Sequence, residues 1–263
     1  MTTAISIEKL DYFIGEQRIV DSVSFTLDAG NYLSIIGPNG AGKTSLLKCI
    51  NRIYTATGGD IHVFGKLLRD YTQRELARVL SYVPQANAEY FPFSVIEFVL
   101  MGRYPHLSPF TSVGPEDRAI AEEMLERTGT TPFADRAIHT LSGGERQKVF
   151  IAAALAQGAK ILLLDEPTTF LDYKHQVEVT RLLQKLNREQ NVTIVSVTHD
   201  VNSAVLTSND VLALKHGAVA FHGPPEALSQ GDQLEKIYGT KFHFVQDTDS
   251  GLPIVVPSGD AHE

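Results

Sequence analysis

The stretch Gly37-Pro38-Asn39-Gly40-Ala41-Gly42-Lys43-Thr44-Ser45 limits the fold more than any other in this chain. It fits the pattern GxxxxGK[ST], with an apolar run, YLSIIG, before it and a helix-compatible run, TSLLKCINRI, after it. Glycine lets the backbone wrap closely around phosphate groups, main-chain N–H groups donate to their oxygens, and a helix N-terminus favours negative charge. In that mechanism Lys43 reaches the β- and γ-phosphates and Thr44 ligates Mg²⁺. The loop needs a strand behind it and a helix ahead, so the chain is expected to build an α/β core around a nucleotide phosphate site.

A second run fits the same core. Lys160-Ile161-Leu162-Leu163-Leu164-Asp165-Glu166-Pro167 is an apolar strand that ends in two carboxylates. Unbroken apolarity implies burial on both faces, as in a central parallel strand, and ligands gather at the carboxyl ends of such strands. Neighbouring strand residues point opposite ways, so the two acids can hold different tasks: Asp165 on the Mg²⁺ shell and Glu166 against the attacking water. Gln85 ends SYVPQ and His199 ends VTIVSVTH, so both are expected at the same ligand edge. There Gln85 touches Mg²⁺ and the water, and His199 holds the γ-phosphate and the water.

Short β-like runs open the chain (ISIEKL, VSFTL, NYLSIIG) and suggest an antiparallel sheet beside the parallel one. The middle is helical. SVIEFVLMGR reads as one helix, and PEDRAIAEEMLERTG as another, with Pro115 at its start, acids in its first turn and Gly129 at its end. The expected fold is α/β: a P-loop NTPase core, mainly parallel sheet with helices, carrying an antiparallel β-subdomain and an inserted helical subdomain. One domain spans 1–263, with 1–85 and 159–263 forming the core and β-subdomain, about 86–158 the helical part, and about 258–263 a flexible tail.

Composition narrows the function. A formal charge of −8 argues against the broad basic face of a nucleic-acid binder. Cys49 is the one cysteine, so no disulfide forms within the chain, which fits a reducing compartment. No apolar run nears the roughly 18 residues of a membrane span, and the start lacks the features of a signal peptide. A cytoplasmic chain is expected.

Residues 141–147 read LSGGERQ and precede another apolar run, KVFIAAALAQ. Ser142, Gly143 and Gly144 look like a second helix mouth for an anion. LSGGERQ between a phosphate loop and an LLLDEP strand resembles the ATP-binding cassette (ABC) family, and the likeness covers nearly the whole chain. It implies Walker A at Gly37 to Thr44, the Q-loop glutamine at Gln85, the signature at Leu141 to Gln147, including Glu145, and Walker B at Ile161 to Asp165. It further implies the catalytic glutamate at Glu166, the D-loop at Phe170-Leu171-Asp172 and the switch histidine at His199. Cassettes of this family pair head to tail, which explains two mouths in one chain: each ATP lies between one subunit's Walker A and the other's signature. The family stacks adenine on an aromatic residue just before the glycine of the first hairpin. Here Ile14 holds that place, and Tyr12 or Phe13 is the substitute.

A finer likeness lies in FPFSVIEFVLMGRYPH and DEPTTFLDYKHQVEV, which resemble importer ATPases for iron–siderophore complexes, haem and cobalamin. The resemblance implies ATP and Mg²⁺ as ligands and a homodimer beneath two permease subunits at the cytoplasmic face of the membrane. A substrate-binding protein acts indirectly, and there is no nucleic-acid partner. Phe91 to His106 is the expected permease dock, with His106 a turn residue rather than a metal ligand. The alternative is a non-transport cassette ATPase serving a soluble cofactor-assembly complex. A DNA-maintenance cassette would need a long coiled coil between Q-loop and signature, and the gap here is short.

Overall fold

The computed structural model describes residues 2–85, 92–108, 111–246, 251 and 253–258. The chain forms two compact units, Met1–Leu68 with Val195–Glu263, and Arg69–Ile194.

The first unit opens with β1 (Thr3–Ile14) and β2 (Gln17–Asp28), an antiparallel hairpin. Along Val23 to Leu27 buried and exposed residues alternate strictly, the mark of a sheet with one face packed and one wet. Both strands are longer than ISIEKL and VSFTL suggest: β1 runs on through residues 11–14 and β2 starts back at Gln17. β4 (Gly58–Val63) and β5 (Lys66–Leu67) complete a four-stranded sheet in the order β2-β1-β4-β5. The parallel part of this unit contains β3 (Tyr32–Ile36), buried at every position, and Val195 to Val197, the end of β8 (Thr193–Val197). β9 (Asp210–Lys215) runs parallel to β3, from Leu33 opposite Asp210 to Ile36 opposite Ala213, and β10 (Ala218–Gly223) is its antiparallel partner. Around these lie α1 (Lys43–Ile50), α7 (Val201–Thr207), α8 (Gln233–Tyr238) and the hairpin of β11 (Phe242–Gln246) with β12 (Pro253–Pro257). One apolar cluster joins Ile36, Ala204, Val205, Leu234, Ile237 and Val255, so the strand that feeds the phosphate loop shares a core with the C-terminal helix and hairpin.

The second unit holds β6 (Leu80–Val83) parallel to β7 (Ile161–Asp165), with Leu80 opposite Ile161 and Val83 opposite Leu164. Its helices are α2 (Gln73–Ala77), α3 (Val95–Met101), α4 (Pro115–Thr128), α5 (Gly143–Ala156) and α6 (Tyr173–Gln190). Three begin in reciprocal capping boxes, Thr72 with Glu75, Ser94 with Glu97 and Ser142 with Glu145, which satisfy orphan N–H groups from side chains. α4 follows its reading closely: Pro115 opens it, Ala121, Met124 and Leu125 are buried, and Gly129 ends it at φ 67. The helical part expected over about 86–158 falls inside this unit, which also takes in β6, β7 and α6. Phe91 and residues 259–263 lie outside the described residues, while Ser258 donates its N–H to Lys241 O. Among the described residues no helix is long and apolar enough to cross a membrane.

Candidate active site

In the first unit the loop after β3 turns sharply at Gly37, whose φ is 140. A Cβ there would stand 2.1 Å from Leu214 O, so only glycine fits between the loop and β9. Lys43 is 6% exposed, and its ammonium donates to Gly37 O at 2.8 Å and Pro38 O at 2.9 Å. The loop thus carries its own cation, folded back on itself. α1 opens on Gly42, which has no side chain to cap the helix, so nothing at the cap position competes for the N-terminal N–H groups. A mouth of this kind is built for an anion.

The aromatic residues near the first hairpin divide. Tyr12 stacks on Tyr54, with ring centroids 5.0 Å apart and planes 8° from parallel, and the Lys48 ammonium sits 5.3 Å from the Tyr54 ring. Phe13 is 39% exposed and lies under the Arg18 guanidinium, while Ile14 is 55% exposed. Tyr54 escaped the sequence reading because nothing local marks a residue just past α1 as the partner of a strand aromatic. Cys49 is buried and its thiol is pushed up to about 12, so it is inert packing. His199 is exposed. It follows Thr198, whose N–H donates to Ile35 O, and precedes Asp200, which caps α7 by accepting Ser203 N–H at 3.1 Å.

In the second unit the two acids at the end of β7 have different partners, although Glu166 lies just past the strand and strand alternation does not set its direction. Asp165 is 6% exposed and accepts the Tyr82 hydroxyl at 3.0 Å. Glu166 has φ 49, left-handed backbone that a non-glycine residue seldom adopts, which marks a strained position at the strand end. Its carboxylate accepts the Thr169 hydroxyl at 2.9 Å and the Gln85 amide at 3.4 Å. Gln85 and Glu166 are therefore together. Tyr82 and Thr169 were missed, although Tyr82 lies three residues before Gln85 on the strand that pairs with β7.

The signature residues occupy the start of α5. Ser142 caps the helix by accepting Glu145 N–H at 3.3 Å, and the Glu145 carboxylate accepts Ser142 N–H at 2.8 Å. That backbone bond is the first cause holding the Glu145 carboxyl below its ordinary value. The Ser142 hydroxyl also bonds the Glu145 carboxylate, a further cause of that lowering. Gly144 faces α6, where a Cβ would meet the His175 ring at 2.4 Å. His175 in turn holds the Asp172 carboxylate at 2.8 Å. Nearby Phe170 and Tyr173 are 85% and 82% exposed.

MGRYPH proves to be a clamp on the far end of α5. Arg103 is 8% exposed and binds Asp117 of α4 at 3.0 Å and Ala156 O at 2.8 Å. His106 Nε2 lies 2.8 Å from Gln157 O, and since a carbonyl only accepts, this nitrogen carries the proton. A Cβ at Gly102 would stand 2.3 Å from Ala153 O. The Arg103 cation on a terminal carbonyl of α5 also suits the helix dipole. Above this clamp lies a cleft of about 330 Å³ lined by Tyr82, Gln85, Phe98, Met101, Phe150 and Gln157. Among the described residues no cluster of His, Cys, Asp and Glu could hold a metal by itself.

Residues 20–169 match the family model described as ABC transporter. The chain is 36% identical over 252 residues to the ferric enterobactin transport ATP-binding protein FepC of Escherichia coli (strain K12), covering 96% of this chain and 93% of that protein. It is 38% identical over 251 residues to the iron(3+)-hydroxamate import ATP-binding protein FhuC of Bacillus subtilis (strain 168), covering 95% and 93%. A solved metal-chelate type ABC transporter in an inward-facing conformation gives a TM-score of 0.86 at 31% identity over 98% of each chain. The ATP-binding cassette MJ0796, a dimer bound to ADP and Pi, gives 0.72 at 30% identity over 84% of this chain and 98% of that one. With a phosphate loop, a carboxylate-ended strand and a signature helix in the expected order on this fold, the chain belongs to the ABC transporter family and is an ATPase whose hydrolysis is coupled to transport.

Proposed function

We propose that this chain is the ATP-hydrolysing subunit of an importer that carries a metal chelate (an iron–siderophore complex, haem or cobalamin) across the cytoplasmic membrane. It works as a homodimer at the cytoplasmic face beneath two permease subunits, and a substrate-binding protein delivers the chelate from outside. One observation carries the reading: near full-length identity of 36–38% to subunits named for siderophore and iron-hydroxamate import. The cleft beside Phe98 and Met101 supports it, being an apolar notch of about 330 Å³ suited to a permease helix, and it overlaps the described part, residues 92–106, of the expected dock Phe91 to His106. Exposed Phe170 of the D-loop and Tyr173 just after it support a second copy as partner.

Within the site, residues 37–45 cradle the phosphates, and Lys43 leaves its loop carbonyls for the β- and γ-phosphates. Thr44, Gln85 and Asp165 offer oxygen ligands only, a donor set that fits Mg²⁺. When bound, Mg²⁺ neutralises phosphate charge. Glu166 takes the proton of the attacking water, with Gln85 and Thr169 holding its carboxylate in place. His199 holds the γ-phosphate. Ser142, Gly143 and Gly144 of one subunit meet the γ-phosphate held by the other. Tyr12, with Tyr54 behind it, receives adenine.

Deleting the gene and measuring uptake of a ferric siderophore, haem and cobalamin tests the reading. Loss of uptake of at least one is expected. Normal uptake of all three with loss of an unrelated solute would overturn it, and purification with a soluble assembly complex instead of a permease would favour the cofactor-assembly alternative.

A further inference from the structure

The C-terminal segment reaches back to the phosphate loop, and it lies beyond the residues 20–169 that the family model matches. Tyr238, the last residue of α8, accepts Gly37 N–H on its hydroxyl at 3.1 Å. Gly37 is thereby held at both of its peptide groups, because its carbonyl accepts the Lys43 ammonium at 2.8 Å. The bond joins residues 201 positions apart, so no local rule of loop conformation produces it.

Other contacts make the segment a brace. The Tyr238 ring meets Phe242 edge-on at 5.9 Å, and both pack on the cluster that includes Ile36, the residue just before Gly37. Asn202 of α7 donates to Val255 O at 3.0 Å and accepts Val255 N–H at 2.7 Å. The C-terminal hairpin therefore grips the helix that starts two residues after His199. Burial, with the Asp200 charge as a smaller contribution, pushes the Tyr238 phenol up to about 12, so it stays an uncharged hydroxyl.

We propose that Tyr238 is a positioning residue for ATP: by fixing the Gly37 peptide it holds the phosphate loop in its nucleotide-ready shape. The proposal rests on residues 37–45 being the phosphate cradle. Without the hydroxyl, the Gly37 N–H is a buried donor with no partner, and the loop gains by turning that peptide elsewhere. Apparent affinity then falls by the fraction of molecules whose loop stays competent.

The experiment uses the full chain and MgATP. Tyr238→Phe keeps the ring and removes the hydroxyl. Its Kd by calorimetry and its KM should rise roughly tenfold, equivalent to about 1.4 kcal/mol, while kcat stays within about twofold. Phe242→Ala loosens the same cluster without reaching Gly37, and should lower Tm while leaving Kd near wild type. A Tyr238→Phe Kd within about twofold of wild type overturns the proposal. So does an equal loss of affinity in Phe242→Ala, which would reduce Tyr238 to packing. In the wild-type chain, whatever the variants do, the Gly37 amide should be protected from hydrogen exchange, and rapid exchange there within an otherwise protected core also overturns it. Lys43→Ala separates the two levels. Lost affinity in Lys43→Ala beside unchanged affinity in Tyr238→Phe removes the brace alone. Unchanged affinity in Lys43→Ala removes the cradle assignment and the proposal with it.

Discussion

A single methyl at Gly144 is expected to damage the signature region by pressing on α6. The Cβ of Gly144→Ala would lie 2.4 Å from His175 Cγ and Cδ2 and 2.5 Å from His175 Cβ. Carbon atoms rest at about 3.5–4.0 Å, so something must move by about 1 Å. Turning χ1 of His175 shifts the ring but not its Cβ, and the ring is tied to the Asp172 carboxylate at 2.8 and 2.9 Å. That carboxylate also caps α6 by accepting His175 N–H at 2.9 Å. The strain therefore passes into the helix backbone and the D-loop, and overpacking of this kind costs about 1–3 kcal/mol. Denaturant unfolding should read that loss. ATP turnover should fall, while MgATP affinity holds, since residues 37–45 belong to the other unit. Two second-site variants expose the cause. His175→Ala keeps the offending Cβ and should relieve the strain only in part. His175→Gly removes it and should restore at least about 1 kcal/mol in a double-mutant cycle, beyond the roughly 1 kcal/mol that glycine costs in a helix. Additive effects in the His175→Gly cycle, with coupling under about 0.5 kcal/mol, would refute the reasoning.

Glu166→Gln keeps shape but cannot take a proton, so turnover should drop about 10²–10⁴-fold with ATP binding intact; lost affinity at normal turnover per bound nucleotide would contradict the role. Arg103→Met should destabilise the second unit by about 2–4 kcal/mol, because breaking a buried pair costs about 3–5 and Asp117 retains its bond from Gly114 N–H. Thermal unfolding should move down by roughly 5–10 °C, and an unmoved Tm would show that the clamp contributes nothing. Glu97, Asp117 and Glu145 are each held below their ordinary values, first by backbone N–H bonds at helix starts. Depressed carboxyls stabilise the fold above the unfolded values of 4.5 and 3.8, and that contribution is lost as pH falls through the lower folded values. Tm measured against pH should therefore decline below those unfolded values, less steeply in Glu145→Gln; a profile unchanged down to about pH 3 would contradict this.

Most elements were legible because their signals are local. The loop at 37–45 sits between a strand and a helix, α4 carries its own start and stop residues, and the apolar run before Asp165 became a strand buried at all five positions. Features that depend on distant partners were not legible. MGRYPH reads as an ordinary helix end, and its purpose appears only when Arg103 meets Ala156 O, 53 residues on. Gly144 suggested close approach to a phosphate, yet its lack of a side chain is also demanded by His175. Tyr12 was offered, with Phe13, as a substitute for Ile14 at the family's stacking position, but its stacking on Tyr54 depends on the path the chain takes after α1. Tyr238 carries no motif at all, and only the tertiary fold brings its hydroxyl to Gly37.

The two anion mouths differ in construction, and the difference orders their use. α1 opens on a residue without a side chain, and the loop's lysine lies buried against carbonyls it can leave for a stronger acceptor. An anion arriving there meets uncapped helix and a cation already close at hand. α5 opens on Ser142, and the Glu145 carboxylate already accepts one of its N-terminal donors while placing a negative charge where the dipole is positive. Glu145 keeps that charge because the same bond lowers its pKa. Repulsion from this carboxylate makes the second mouth a poor collector of free phosphate. It gains only when an anion is already fixed in place, so that the glycine N–H groups add contacts without the entropy cost of capture. Under the proposed cross-subunit arrangement, loading would begin at residues 37–45 and the signature would respond to a γ-phosphate delivered by the second copy. In the proposed homodimer, the weak second mouth makes closure depend on the γ-phosphate rather than on nucleotide as such.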